Sequence, residues 1–130
     1  MDKNLFSENP FCKALGIKYP IIQGGMAWIA DENLAAAVSN AGGLGLIAAM
    51  NSDGARLREQ IRRAKELTDK PFGVNIMLMS PFAAEAAEAV ISGDVKVVTT
   101  GAGSPAKFAA AANTSALSSF FGSSPSSGAV

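Results

Sequence analysis

The sequence predicts an α/β fold in which parallel strands alternate with covering helices. Three observations carry this reading. Four short apolar runs alternate with helix-patterned segments, in the order β-α-β-α-β-α-β. The runs are apolar nearly throughout rather than at every second position, the pattern of strands buried on both faces. Two stretches, residues 20–26 and 71–77, end at residues suited to holding a flat ligand, Gln23-Gly24-Gly25-Met26 and Asn75-Ile76-Met77. In βα-repeat proteins ligands sit at the C-terminal ends of the strands, so both stretches are expected to meet at one edge.

Residues 11–15 are expected to form one helical turn that Gly16 stops. Residues 17–23 read as the first strand, with Pro20 near its start, where a missing N–H is tolerated. Asp31 caps a helix to about residue 41, whose apolar face is Leu34, Ala37, Val38 and Ala41 at 3.6-residue spacing, and Gly42-Gly43 ends it. Residues 44–48 form a buried strand. Ser52-Asp53-Gly54 starts the clearest helix, residues 55–68. Leu57, Ile61, Ala64 and Leu67 line its inner face, and Arg56, Arg58, Glu59, Arg62, Arg63, Lys65 and Glu66 form a mostly solvated one.

Asp69-Lys70-Pro71 turns the chain into the third strand, residues 72–78. Ser80-Pro81 opens an alanine-rich helix that leaves Glu85 and Glu88 exposed and ends near Ser92-Gly93. The β-branched run 95–99 is the fourth strand, and the crossovers are expected to be right-handed. Past Gly101-Ala102-Gly103-Ser104-Pro105 the pattern fails. A fourth helix is expected from residue 105 to about residue 112. Beyond it alanine, serine and glycine dominate, no charge follows Lys107, and neither a strand nor an amphipathic pattern is legible, so disorder is expected.

With 130 residues, 48% of them apolar, the chain suffices for one domain. The 11 basic and 11 acidic residues cancel, which removes the electrostatic argument for nucleic acid or an anionic membrane surface as partner. There is no histidine, so histidine-based acid–base catalysis and metal ligation are excluded for this chain. The single Cys12 can form neither an internal disulfide nor a zinc site and is expected to be buried in the N-terminal helix. No metal site is expected. The N-terminus leads into no long apolar run, and residues 42–50 are too few to cross a bilayer. A soluble, cytoplasmic protein in a reducing compartment is the expectation.

Four strand ends carry the candidate chemistry, at residues 23–26, 48–51, 75–77 and 99–103. Glycines there let backbone approach a ring or a phosphate. Asn75 can donate to and accept from the polar edge of a ring, and Thr99 or Thr100 can supply a hydroxyl. The same residues also suit tight βα turns, so both readings stand. Gly42-Gly43-Leu44-Gly45 suggests a dinucleotide fingerprint, but it lies between a helix and the next strand, the reverse of the required order. It reads instead as a helix stop and a close helix–sheet contact. Met26, Met50, Met77 and Met79 either form a soft apolar wall beside a cofactor or pack plainly. Trp28 either shields a pocket or covers the mouth of the strands.

Residues 20–30 (PIIQGGMAWIA), 41–45 (AGGLG), 70–77 (KPFGVNIM) and 95–103 (VKVVTTGAG) together resemble one family. It is the FMN-dependent enoyl-acyl-carrier-protein reductase II group, within the nitronate monooxygenase (2-nitropropane dioxygenase-like) superfamily. The resemblance runs from about residue 11 to residue 107. It implies the N-terminal half of a (β/α)8 TIM barrel, with residues 1–108 as part of a flavoprotein domain and residues 109–130 as a low-complexity tail, disordered or out of frame. It further implies FMN as cofactor, NADH or NADPH as reductant, and a trans-2-enoyl thioester on acyl carrier protein as substrate. A homo-oligomer is left open.

Carried over by motif, Gly24, Gly25 and Met26 would contact the flavin and Asn75 would hydrogen-bond its ring. Thr100, Gly101 and Ala102 would line the pocket beneath. The family's Gly-Gly-His block and later glycine-rich phosphate loops have no counterpart here, so no catalytic residue is assigned and the chain alone is expected to be inactive. A complete barrel needs roughly 250 residues. Nitronate oxidation is the alternative activity, and a non-catalytic half-barrel that pairs with itself or a second fragment is the alternative of another class.

Overall fold

A parallel sheet with helices on both faces organises the computed structural model, which describes residues 4–104, Ala106 and Ser118–Ser119. The elements run α1 (Pro10–Leu15), β1 (Ile22–Gln23), α2 (Glu32–Asn40), β2 (Leu44–Ala48), α3 (Gly54–Leu67), β3 (Phe72–Met77), α4 (Ala83–Ser92), β4 (Val97–Gly101) and β5 (Ser118–Ser119). All neighbours pair in parallel, in the sequential order β1-β2-β3-β4-β5. Four parallel strands, the first three each followed by a covering helix, make the half-barrel that the sequence predicts. Among the described residues no helix is long and apolar enough to cross a membrane.

Alternation along the strands divides the core in two. Ile47, Val74 and Ile76 face α2, α3 and α4, where they join Ala35, Leu57, Ile61, Ala64, Ala86, Ala89 and Val90. Leu44, Leu46 and Val97 face the other way and are covered by Cys12, Leu15 and Ile17. The short α1 therefore fills the lower part of the concave face. It is held there by its own signals: Asn9 accepts from the N–H groups of Phe11 and Cys12, and Gly16 ends it at φ 70°. Cys12 is 3% exposed, as expected of a small apolar residue.

Several expectations need correction. The first strand is two residues long, because Lys18 and Tyr19 both donate to Gly42 O (2.9 Å each), Pro20 has no N–H, and Ile21 turns back to Tyr19 O (2.8 Å). On α2 the buried face is Glu32, Ala35, Ala36 and Ser39, one step around the helix from the expected stripe. The cause is Gly45, where an added Cβ would lie 1.9 Å from Ala35 O, so only small residues fit between α2 and β2. On α3 Gln60 joins the buried face, whereas Leu67 is 45% exposed. The charged face of that helix is solvated as expected, with Arg62 paired to Glu59 and Glu66.

The fourth strand starts at Val97 rather than residue 95, because the Val95 N–H is used to close α4 on Val90 O (3.1 Å). Helix α4 itself starts at Ala83, after a turn in which Ala83 N donates to Ser80 O (3.1 Å). The expectation of no strand beyond residue 112 is corrected by β5, whose residues register with Val97 and Val98. Apart from helical Ala106, the helix expected at 105–112 lies outside the described residues, as does the remainder of the tail.

Two measurements check this account. Gly45→Ala is expected to cost about 3 kcal/mol in urea unfolding, since the methyl meets backbone, whereas Gly24→Ala, with open space around it, stays within about 0.5 kcal/mol. Asp31 accepts from Leu34 N (3.0 Å), chiefly for which its carboxyl is held below the usual aspartate range. A depressed folded value gives stability that is complete above the ordinary aspartate pKa of about 3.9 and lost as pH falls through the lower folded value. Replacement by Asn, which keeps the cap, should flatten the acid limb of a stability–pH profile in that window.

Candidate cofactor site at the C-terminal edge of the sheet

Asn75 and Thr99 stand side by side on β3 and β4, in register near the strand ends. The Thr99 hydroxyl donates to Asn75 Oδ1 at 2.8 Å. With the amide oxygen turned to Thr99, the Nδ2 donors are without an acceptor among the described residues. Gly25 lies directly against this amide: a Cβ added to it would sit 2.7 Å from Asn75 Nδ2 and 2.8 Å from its Cβ. The glycine is needed because the first βα loop crosses the Asn75 side chain at backbone distance. Asn75 O also accepts from Ala49 N (3.0 Å), which ties the end of β2 to the same point.

Gln23 supports this loop in a way the sequence reading did not anticipate. Its side-chain Nε2 donates to Leu46 O (3.2 Å) and to Gly24 O, and its Oε1 accepts from Leu46 N (3.3 Å). The side-chain amide thus continues the parallel ladder one step past Gln23 itself, while the backbone turns away toward the site. Its only sequence signal is an amide residue at the last position of a strand.

The remaining expected residues fall as follows. Gly24 is exposed with open space around its Cα. Met26 is 41% exposed and its carbonyl accepts from Ile29 (3.1 Å) and Ala30 (2.8 Å), forming a turn that holds Trp28 at φ 70° and 86% exposed. A bulky residue in the left-handed region is uncommon, and such strain collects at functional sites. Gly101 registers with Met77, and Ala102 adopts φ 54° in the turn that follows. Thr100 registers with Ile76 on the helix-covered face and is 5% exposed, so Thr99, not Thr100, presents its hydroxyl to Asn75. Of the other methionines expected near the site, Met50 and Met77 are half-buried and Met79 is 76% exposed.

No group of three His, Cys, Asp or Glu residues among the described ones could hold a metal. A cleft of about 520 Å³ lined by Lys13, Lys70, Phe72 and Lys96 lies at the opposite end of β3 and β4, so it is not part of this site. The arrangement offers a donor pair of set orientation, glycine backbone at close range and exposed apolar side chains nearby. It suits a planar group with polar acceptors on its edge.

Residues 8–114 match the family model for nitronate monooxygenase. The chain belongs to that family. It is 53% identical over 75 residues to a nitronate monooxygenase of Paraburkholderia phytofirmans, covering 56% of this chain and 20% of the relative. It is 39% identical over 92 residues to a Mycobacterium tuberculosis (3aS,4S,5R,7aS)-5-hydroxy-7a-methyl-1-oxo-octahydro-1H-indene-4-carboxyl-CoA dehydrogenase, covering 71% and 26%. The structure of FabK from Thermotoga maritima superposes with a TM-score of 0.83 at 42% identity, over 85% of this chain and 36% of that one. The chain thus spans about a fifth to a quarter of the length of these two relatives.

The Asn75–Thr99 pair has a direct test. Thr99→Val removes the donor to Oδ1 and is expected to cost about 1 kcal/mol in urea unfolding, with Thr99→Ser restoring most of it.

Proposed function

We propose that this chain supplies the ring-binding part of an FMN-dependent oxidoreductase that uses NADH or NADPH to reduce a trans-2-enoyl thioester carried on acyl carrier protein. The observation that carries the reading is the Asn75 amide, locked by Thr99 and crossed by Gly25. The residues fit the group. An isoalloxazine presents carbonyl oxygens and ring nitrogens along one edge, and Asn75 keeps its Nδ2 donors free for such acceptors. Gly25 removes the side chain that would otherwise hold a ring away from the backbone. Gly24, Met26, Gly101 and Ala102 border the same edge of the sheet, and of Thr100 only the backbone is placed to join them.

When bound, FMN supplies two-electron chemistry, taking hydride from a nicotinamide and passing it to an electron-poor carbon. This chain's own share is binding and orientation: Asn75 aligns the ring edge, Thr99 fixes Asn75, and Gln23 and Gly25 carry the first loop past it. The likeness to FabK in fold and sequence supports the reductase reading. The 53% identity to a nitronate monooxygenase supports a second reading, flavin-dependent oxidation of nitronates by oxygen.

Titration of FMN with the chain, followed by quenching of flavin fluorescence, is the first test. Binding is expected, and Asn75→Ala should weaken it about tenfold, the loss of one well-formed hydrogen bond. No binding to the unaltered chain would overturn the flavin reading. In a full-length relative that carries the rest of the barrel, NADH-dependent reduction of a crotonyl thioester favours the reductase, and oxygen uptake with a nitronate favours the monooxygenase.

A further inference from the structure

Beneath the site, three buried polar side chains from three different segments form one chain of hydrogen bonds. Ser52, 4% exposed, follows β2 in the loop that carries Met50 and Asn51. Its hydroxyl donates to Gln60 Oε1 at 2.8 Å. Gln60, 8% exposed on α3, donates through Nε2 to Glu32 Oε2 at 3.2 Å. Glu32, 7% exposed, is the first residue of α2 and so ends the β1–α2 loop that contains Gly25, Met26 and Trp28. Arg63 closes the row at Glu32 Oε1 (3.2 Å).

We propose that Gln60 is a positioning residue, a buried amide strut that locks the β1–α2 and β2–α3 loops to one another and so holds the two walls of the cofactor site at a set separation. Chemistry selects the amide. The strut must offer a donor at one end, to a carboxylate, and an acceptor at the other, to a hydroxyl, and glutamine does both with a neutral side chain. Burial raises the stakes, because an unpaired polar group in this place loses its solvation without compensation. Both ends reach the site by short routes. Ser52 N donates to Ala49 O (3.2 Å), and Ala49 N donates to Asn75 O (3.0 Å). At the other end Asp31, next to Glu32, follows Ala30, whose carbonyl accepts from Ala48 N (2.8 Å).

The test uses two variants of the chain. Gln60→Met keeps the volume and removes both bonds; Ser52→Ala, the milder change, removes one. Backbone hydrogen exchange is read over residues 26–31 and 49–53, with residues 57–64 of α3 as internal control. Gln60→Met is expected to speed exchange about tenfold in both loops and Ser52→Ala in the second loop alone. The control stays protected in both. FMN affinity should fall about tenfold in Gln60→Met, an effect that a purely structural residue would not produce in protein that remains folded.

The flavin measurement rests on the function proposed above, whereas exchange does not. If the unaltered chain binds no FMN, that function fails and exchange alone decides the strut. Uniform acceleration through α3, or no change in residues 26–31 when Gln60 is replaced, overturns the strut. Loosened loops with unaltered FMN affinity overturn the positioning role.

Discussion

The contact between α2 and β2 at Gly45 is the constraint on which the rest of the structure depends. With only hydrogen on that Cα, the Ala35 backbone lies directly over the strand, at a point where any Cβ would collide. The consequence runs outward in both directions along the chain. Seated so low, α2 must turn Ala35, Ala36 and Ser39 inward, and Ser39 Oγ accepts from Gly45 N at 3.0 Å, a side-chain bond that draws helix and strand together. The N-terminus of α2 is then placed by its Asp31 cap, and the loop before it can lie across Asn75 only because Gly25 also lacks a side chain. Two glycines, one under a helix and one over an amide, thus transmit a backbone packing distance into the geometry of a binding site.

Much of this was legible in the sequence, because the relevant signals are local. Asp31, Asp53 and Gly16 sit at helix ends for reasons that do not depend on the rest of the fold. The apolar runs at β2 and β3 needed only their composition. The convergence of Gly25 and Asn75 was readable as two strand ends of a parallel sheet. What escaped the reading depends on distant partners. The buried face of α2 lies one step from the one its hydrophobicity predicts, because Leu34 and Val38 are more apolar than Ala35 and Ser39 and hydrophobicity alone says nothing of a glycine ten residues on. Whether Thr99 or Thr100 serves Asn75 required the register of β4, which starts at Val97 because Val95 is taken by the helix before it. Gln60 sits among charged residues in the sequence and looks solvated, yet its amide is buried between two loops.

The molecule divides its stabilising forces by position. Between the sheet and α2–α4 the contact is aliphatic, with alanine, leucine, isoleucine and valine packed at close range. At the C-terminal edge, polar side chains take over: Gln23 on Leu46, Thr99 on Asn75, Ser80 on Met50 O (3.1 Å), Glu85 on Gly54 N (2.8 Å). Apolar packing is tolerant of small displacements, whereas hydrogen bonds have preferred lengths and angles. An edge built from directional bonds holds its loops to a geometry that a greasy contact would leave loose.

Helix α1 has a consequence for how the chain acquires its fold. It precedes the sheet in the chain, yet its resting place is a cleft completed by Leu44, Leu46 and, more than eighty residues later, Val97. Contacts that close so long a loop are slow to form. The cleft around this segment is therefore complete only once the fourth strand has joined the sheet. Cys12, the single thiol of the chain, is carried into that cleft with it. The moment at which the thiol becomes shielded from a labelling reagent during refolding dates the closing of the structure.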